Sequence, residues 1–144
     1  MKYLIFTLYF FACGWALTSL EGCKDDEDLK PLTRTDLLTN KNSRGWHLEG
    51  IKTSADATEE LPACQADDKM WFASDAAWRH DNGKTPCTDA DQDFNDRWAF
   101  ANNEQQVVIA GTGQKYNILL LESRNLQLQD SLGMIYRFSC GCGK

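Results

Sequence analysis

Two histidines, six cysteines and a run of spaced carboxylates are the residues of this 144-residue chain whose types suit chemistry. His47 and His80 are the bases suited to proton transfer near neutral pH. A Ser-His-Asp enzyme or a zinc hydrolase needs such a histidine converging with other groups. No HExxH, no GxSxG and no glycine-rich phosphate loop ahead of a helix is present. His47 falls on the outward phase of a strand and His80 sits beside a turn, so both read as surface histidines, and we expect no enzyme. Asp89-x-Asp91-x-Asp93-x-Asn95 spaces oxygens like the start of a calcium loop. Phe94 and Phe100 stand where an EF-hand requires Gly and Glu, which excludes that motif. A looser Ca²⁺ site is the alternative to a solvated acidic loop; we take the solvated loop and expect no metal and no cofactor.

The cysteines are not equivalent. Cys13 and Cys23 lie in or beside an apolar segment that runs from Tyr3 to Leu20 behind the basic start Met1-Lys2. That layout is a signal peptide's, although an apolar run of this length also comes close to spanning a bilayer. Leu20-x-Gly22-Cys23 resembles the lipobox of bacterial lipoproteins. The resemblance implies cleavage before Cys23 and an acyl anchor on its sulfur. Lys24-Asp25-Asp26-Glu27-Asp28 is similar to the acidic export signal of Bacteroidetes surface lipoproteins. It implies an outer-membrane protein displayed at the cell surface, with the periplasmic face as the other option. Residues 1–22 are thus expected to be removed, residues 23–34 to form an acidic tether, and residues 35–144 to fold as one domain. Lys2 and Glu21 cancel in the removed piece, so the mature chain keeps the net charge of −6. Such a balance argues against nucleic acid and anionic lipid as partners.

Cys64, Cys87, Cys140 and Cys142 remain, and an exported chain can keep disulfides. Three connectivities are open to four cysteines. We expect Cys64 with Cys87, a crosslink worth roughly 3 kcal/mol, and leave Cys140 and Cys142 as a small ring, a contact to another chain or two thiols.

The elements that must position these groups are strands. Thr35-Asp36-Leu37-Leu38 suits one helical turn capped by Thr35, with the leucines plugging one end of the domain. Period-two alternation follows. Trp46, Leu48 and Gly50 share a face, as do Met70 with Phe72, Ala76 with Trp78 and His80, and Trp98 with Phe100. Val107 with Ile109, then Tyr116 with Ile118 and Leu120, Leu126 with Leu128, and Met134 with Tyr136 and Phe138 continue the pattern. Asn82-Gly83, Asn102-Asn103, 111–113 and 123–125 supply turns. Strands so closely connected are antiparallel neighbours. The spacing predicts an all-β chain: an up-and-down meander of about eight strands closed into a barrel, after a short N-terminal helical turn.

The order of these features resembles the lipocalin-like domains of Bacteroidetes lipoproteins. The matching positions are Leu37-Leu38 and Trp46, then Cys64, Asp67-Asp68 and Phe72. Gly83, Cys87 and Trp98 follow, and then the hairpin segments 116–121 and 125–129. The resemblance spans residues 35–138 and implies a lipocalin-like barrel rather than a particular activity. An eight-stranded barrel either is filled by its own side chains or holds one small ligand, and the large rings here could do either. For a ligand-binding barrel, the residues expected to line the interior are Trp46, Phe72, Trp98, Tyr116 and Tyr136, with a small apolar or amphipathic ligand. The alternative is a filled barrel acting as an accessory module of a cell-envelope complex, with its working surface in the loops 53–68 and 81–96 and an exposed Trp71.

Overall fold

The structure, a computed structural model, describes residues 31–53 and 61–141. Cys23, Cys142, the signal segment and most of the acidic tether lie outside them. Pro31 leads into a short helix, α1 (Arg34–Thr39), followed by eight strands. These are β1 (Ser43–Lys52), β2 (Lys69–Ala73), β3 (Ala77–Asp81), β4 (Phe94–Ala101), β5 (Gln106–Ile109), β6 (Lys115–Leu121), β7 (Asn125–Gln129) and β8 (Ile135–Ser139). Each strand pairs antiparallel with the next, and β8 pairs back onto β1. The chain is a closed, up-and-down, lipocalin-like barrel of eight strands, as the alternation predicts.

The helix cap differs from expectation. Thr33, not Thr35, is the N-cap: its hydroxyl accepts from the Asp36 N–H, and the Asp36 carboxylate accepts from the Thr33 N–H at 3.0 Å. Each side chain thus satisfies a backbone donor that the first helical turn leaves free. Asn40 ends the helix in the left-handed region at φ 53°, which Asn tolerates better than most residues. The helix seals one end of the barrel. Leu38 is fully buried there, and the indole N–H of Trp46, itself fully buried, donates to the Leu38 carbonyl at 2.9 Å. Arg44 reaches over the Trp46 ring, 5.2 Å from its centroid, and donates to the carbonyls of Leu37 and Ser123. One guanidinium therefore ties the helix to the β6–β7 turn.

Two bulges change which residues face inward. Register shifts between Leu48 and Gly50 in β1, so Ile51 turns inward below Trp46 and Leu48. A second shift between Ile118 and Leu120 in β6 packs Leu121 against the core where alternation had placed Leu120. One extra residue flips the phase of a strand, so strict period two fails just past each bulge. Two strand starts also move. Ala76 is a left-handed turn residue at φ 69°, and β3 begins at Ala77. Met134 belongs to the β7–β8 turn, where its N–H donates to Asp130 Oδ1.

At the end opposite the helix, the connections β1–β2 and β3–β4 are joined by the Cys64–Cys87 disulfide, with a sequence separation of 23. The crosslink restricts the unfolded chain more than the folded one. Replacing both cysteines by Ser is expected to lower unfolding free energy by roughly 3 kcal/mol, read as a shifted denaturation midpoint with an intact barrel signal in circular dichroism.

Candidate functional site

The barrel has a filled half and a hollow half. Beside the helix, Phe72, Trp98 and Phe100 pack edge to face, with centroids 5.7 and 5.0 Å apart, and the Trp98 indole donates to the Ala73 carbonyl. These rings pack with the fully buried Trp46 in that half. Toward the other end lies a partly open cavity of about 240 Å³. Ligand pockets usually run ~300–1,000 Å³, so this one suits a small molecule.

Each side of the cavity has its own chemistry. Leu48, Ile51, Met70 and Phe138 make the apolar wall. Trp78, Tyr116 and Tyr136 add aromatic faces, the two tyrosines meeting edge to face at 6.2 Å. Burial pushes both phenols up, Tyr136 to about 12. The Tyr136 hydroxyl donates to Asp130 Oδ2, whose other oxygen accepts the N–H groups of Leu132 and Met134. The β7–β8 turn therefore fixes one aromatic wall.

Gln65, Lys69, His80 and Gln114 are polar lining residues, and the carboxylate among the described lining residues is Asp68, only 6% exposed. Its backbone carbonyl accepts the Leu48 N–H, which ties the residue to β1 just before β2 begins. Its Oδ2 lies 3.9 Å from His80 Nε2, beyond hydrogen-bond length, and its Oδ1 has no hydrogen-bond partner among the described residues. Burial pushes the Asp68 carboxyl above the usual carboxylate range; His80 draws it down, while Asp67, Asp91 and Asp81 push it up. Buried polar atoms are nearly always hydrogen-bonded, so this oxygen is an exception that asks for a partner. The Trp78 indole N–H is buried without a partner as well.

Of the five rings expected to line the interior, Tyr116 and Tyr136 face the cavity. Trp46, Phe72 and Trp98 lie in the filled half. His80, expected at the surface, keeps 37% of its side chain exposed and also borders the cavity, stacking on Trp78 at 6.3 Å. Asp68 carried no site signal in the sequence. Its neighbour Asp67 shows why: two adjacent carboxylates look alike, yet Asp67 points to the β3–β4 loop and accepts the Lys84 N–H at 2.8 Å. A side chain at Gly83 would collide with that carboxylate. Asp91 and Asp93 serve the same loop by separate routes. Asp91 accepts from the N–H and hydroxyl of Thr88, while Asp93 accepts from Arg79 and the Asn82 N–H. Their oxygens diverge, and among the described residues no group of three His, Cys, Asp or Glu is placed to hold a metal.

Trp71 points out of the barrel but is half-buried, its ring lying on Gly45, where an added Cβ would meet ring atoms at 2.9 Å. The Cys140 thiol donates to the Ser123 carbonyl. No protein-family model, curated protein or solved structure matches the chain.

Two expectations follow. A carboxyl raised by burial favours the native state while protonated, and that contribution is lost as pH climbs through its folded value. Asp68→Asn should therefore gain about 1 kcal/mol near pH 7, a rise of a few degrees in Tm, with the gain vanishing in acid below the usual carboxylate range. The phenols carry the same sign at alkaline pH. Their stabilisation is complete below the ordinary tyrosine value of about 10 and is lost as pH rises toward about 12. Phenolate absorbance of the folded protein should appear only above pH ~11 and should coincide with unfolding.

Proposed function

We propose that this chain is a lipid-anchored envelope lipoprotein of the lipocalin-like kind, whose barrel binds one small amphipathic ligand at the end opposite the helix. The observation that carries the reading is the cavity of about 240 Å³, set in the half of the barrel away from the plug. Its apolar wall would take a hydrocarbon body, and its buried polar atoms would orient a head group. The anchor rests on the lipobox-like Leu20-x-Gly22-Cys23 and the acidic run behind it. A protein held at the outer membrane through Cys23, most simply at the cell surface, would sample small molecules beside it without needing catalysis. The accessory-module alternative leaned on an exposed Trp71, and that ring instead covers Gly45.

Trp78 makes the reading measurable, since it lines the cavity. Small amphipathic molecules should quench part of the tryptophan emission and raise Tm, and Ile51→Trp, which fills the cavity, should abolish both effects while the barrel still folds. The native protein extracted from its own membrane should begin at an acylated Cys23 by mass spectrometry. An uncut, unacylated chain would sink the anchoring half of the proposal, and a panel giving neither quenching nor a thermal shift would sink the binding half.

A further inference from the structure

We propose that the cavity selects a small organic cation, an amine with a short apolar or aromatic body, whose ammonium group pairs with Asp68. This rests on the ligand-binding reading above and narrows it to a chemical class.

Three observations converge on it. The first is the buried oxygen. Asp68 lines the cavity at 6% exposure, and its Oδ1 has no hydrogen-bond partner among the described residues. A buried carboxylate accepts hydrogen bonds only, and leaving one unmade is costly. An ammonium group in the cavity would give this carboxylate a charged donor closer than His80, which stands at 3.9 Å.

The second is the surrounding charge. His80 is the one basic group among those acting on Asp68 within the described residues, and it stands off at 3.9 Å on the other oxygen. Asp67, Asp81 and Asp91 add negative potential around the same point. Lys69 borders the cavity but forms no ion pair with Asp68 within 4.0 Å. An anionic ligand head would meet this field unfavourably, and a neutral one would leave the carboxylate with only the 3.9 Å contact to His80.

The third is the lining. Trp78, Tyr116 and Tyr136 line the same space. Ring faces attract cations, Trp most strongly, and more so when the cation is desolvated. Both phenols stay un-ionised at physiological pH, so these rings add no competing charge. The limited volume fixes the size class, since a long acyl chain exceeds it.

The test compares matched probes on the full chain in lipid nanodiscs: 2-phenylethylamine against 2-phenylethanol and hexylamine against hexanol, by isothermal titration calorimetry at neutral pH. Each amine should bind about tenfold or more tighter than its alcohol, the advantage of a charge-assisted hydrogen bond over a neutral one. In Asp68→Asn, the amine should fall to the level of the alcohol. Equal affinities of amine and alcohol for the unaltered protein overturn the amine assignment while leaving the ligand-binding reading standing, and this comparison needs no variant to fold. An amine preference that survives Asp68→Asn overturns the role of Asp68. If none of the four probes binds, the amine assignment and the ligand-binding reading fall together.

Discussion

The hydrogen bond from the Trp46 indole to the Leu38 carbonyl is the contact on which the rest of the barrel depends. A fully buried indole must find an acceptor, and a helix C-terminus offers carbonyls with no partner of their own. Here each group answers the other's need, and Arg44 adds two carbonyl contacts beside them. The result is an end closed by a helix of six residues. That helix is too short to persist alone and persists because its leucine is packed and its carbonyls are held. With that end sealed and the large rings packed against it, the cavity lined by Asp68 and Tyr136 lies toward the other end.

The hollow end is built by different means. Side chains hold loops there: Asp67 on the Lys84 N–H, Asp96 on the Gly111 N–H, Asp130 on its own turn, and a disulfide across the two long connections. These four devices organise backbone at that end, and among the described residues Asp68 is the carboxylate that lines the cavity. A charge kept there at a cost to stability is the kind of compromise that ligand sites show.

The fold was largely legible in the sequence because alternation of large apolar residues is a strong signal over eight short strands. The strand count, the closure and the pairing of Cys64 with Cys87 all came from pattern. What pattern missed is phase and depth. Gly50 is a local bulge signal in β1 that the alternation overrode, and no glycine or proline marks the shift after Ile118, so the inward positions of Ile51 and Leu121 stayed hidden. Inward residues near the plug and near the mouth look identical in a strand, so Trp46, Phe72 and Trp98 could not be separated from Tyr116 and Tyr136. Asp68 was concealed by Asp67 beside it, and the alternation that put His80 on one face with Trp78 could not show how near it comes to Asp68.

Closure through the β1–β8 pairing has a further consequence. A sheet with two ends offers unpaired N–H and C=O groups to any extended peptide, and many proteins recruit partners or aggregate that way. Every strand here has a neighbour on both sides. Crowded copies therefore lack the template that would let one barrel extend another. Whatever recognises this protein must read side chains on the strand faces or the shape of the loops, so association is governed by surface residues that can change without touching the barrel.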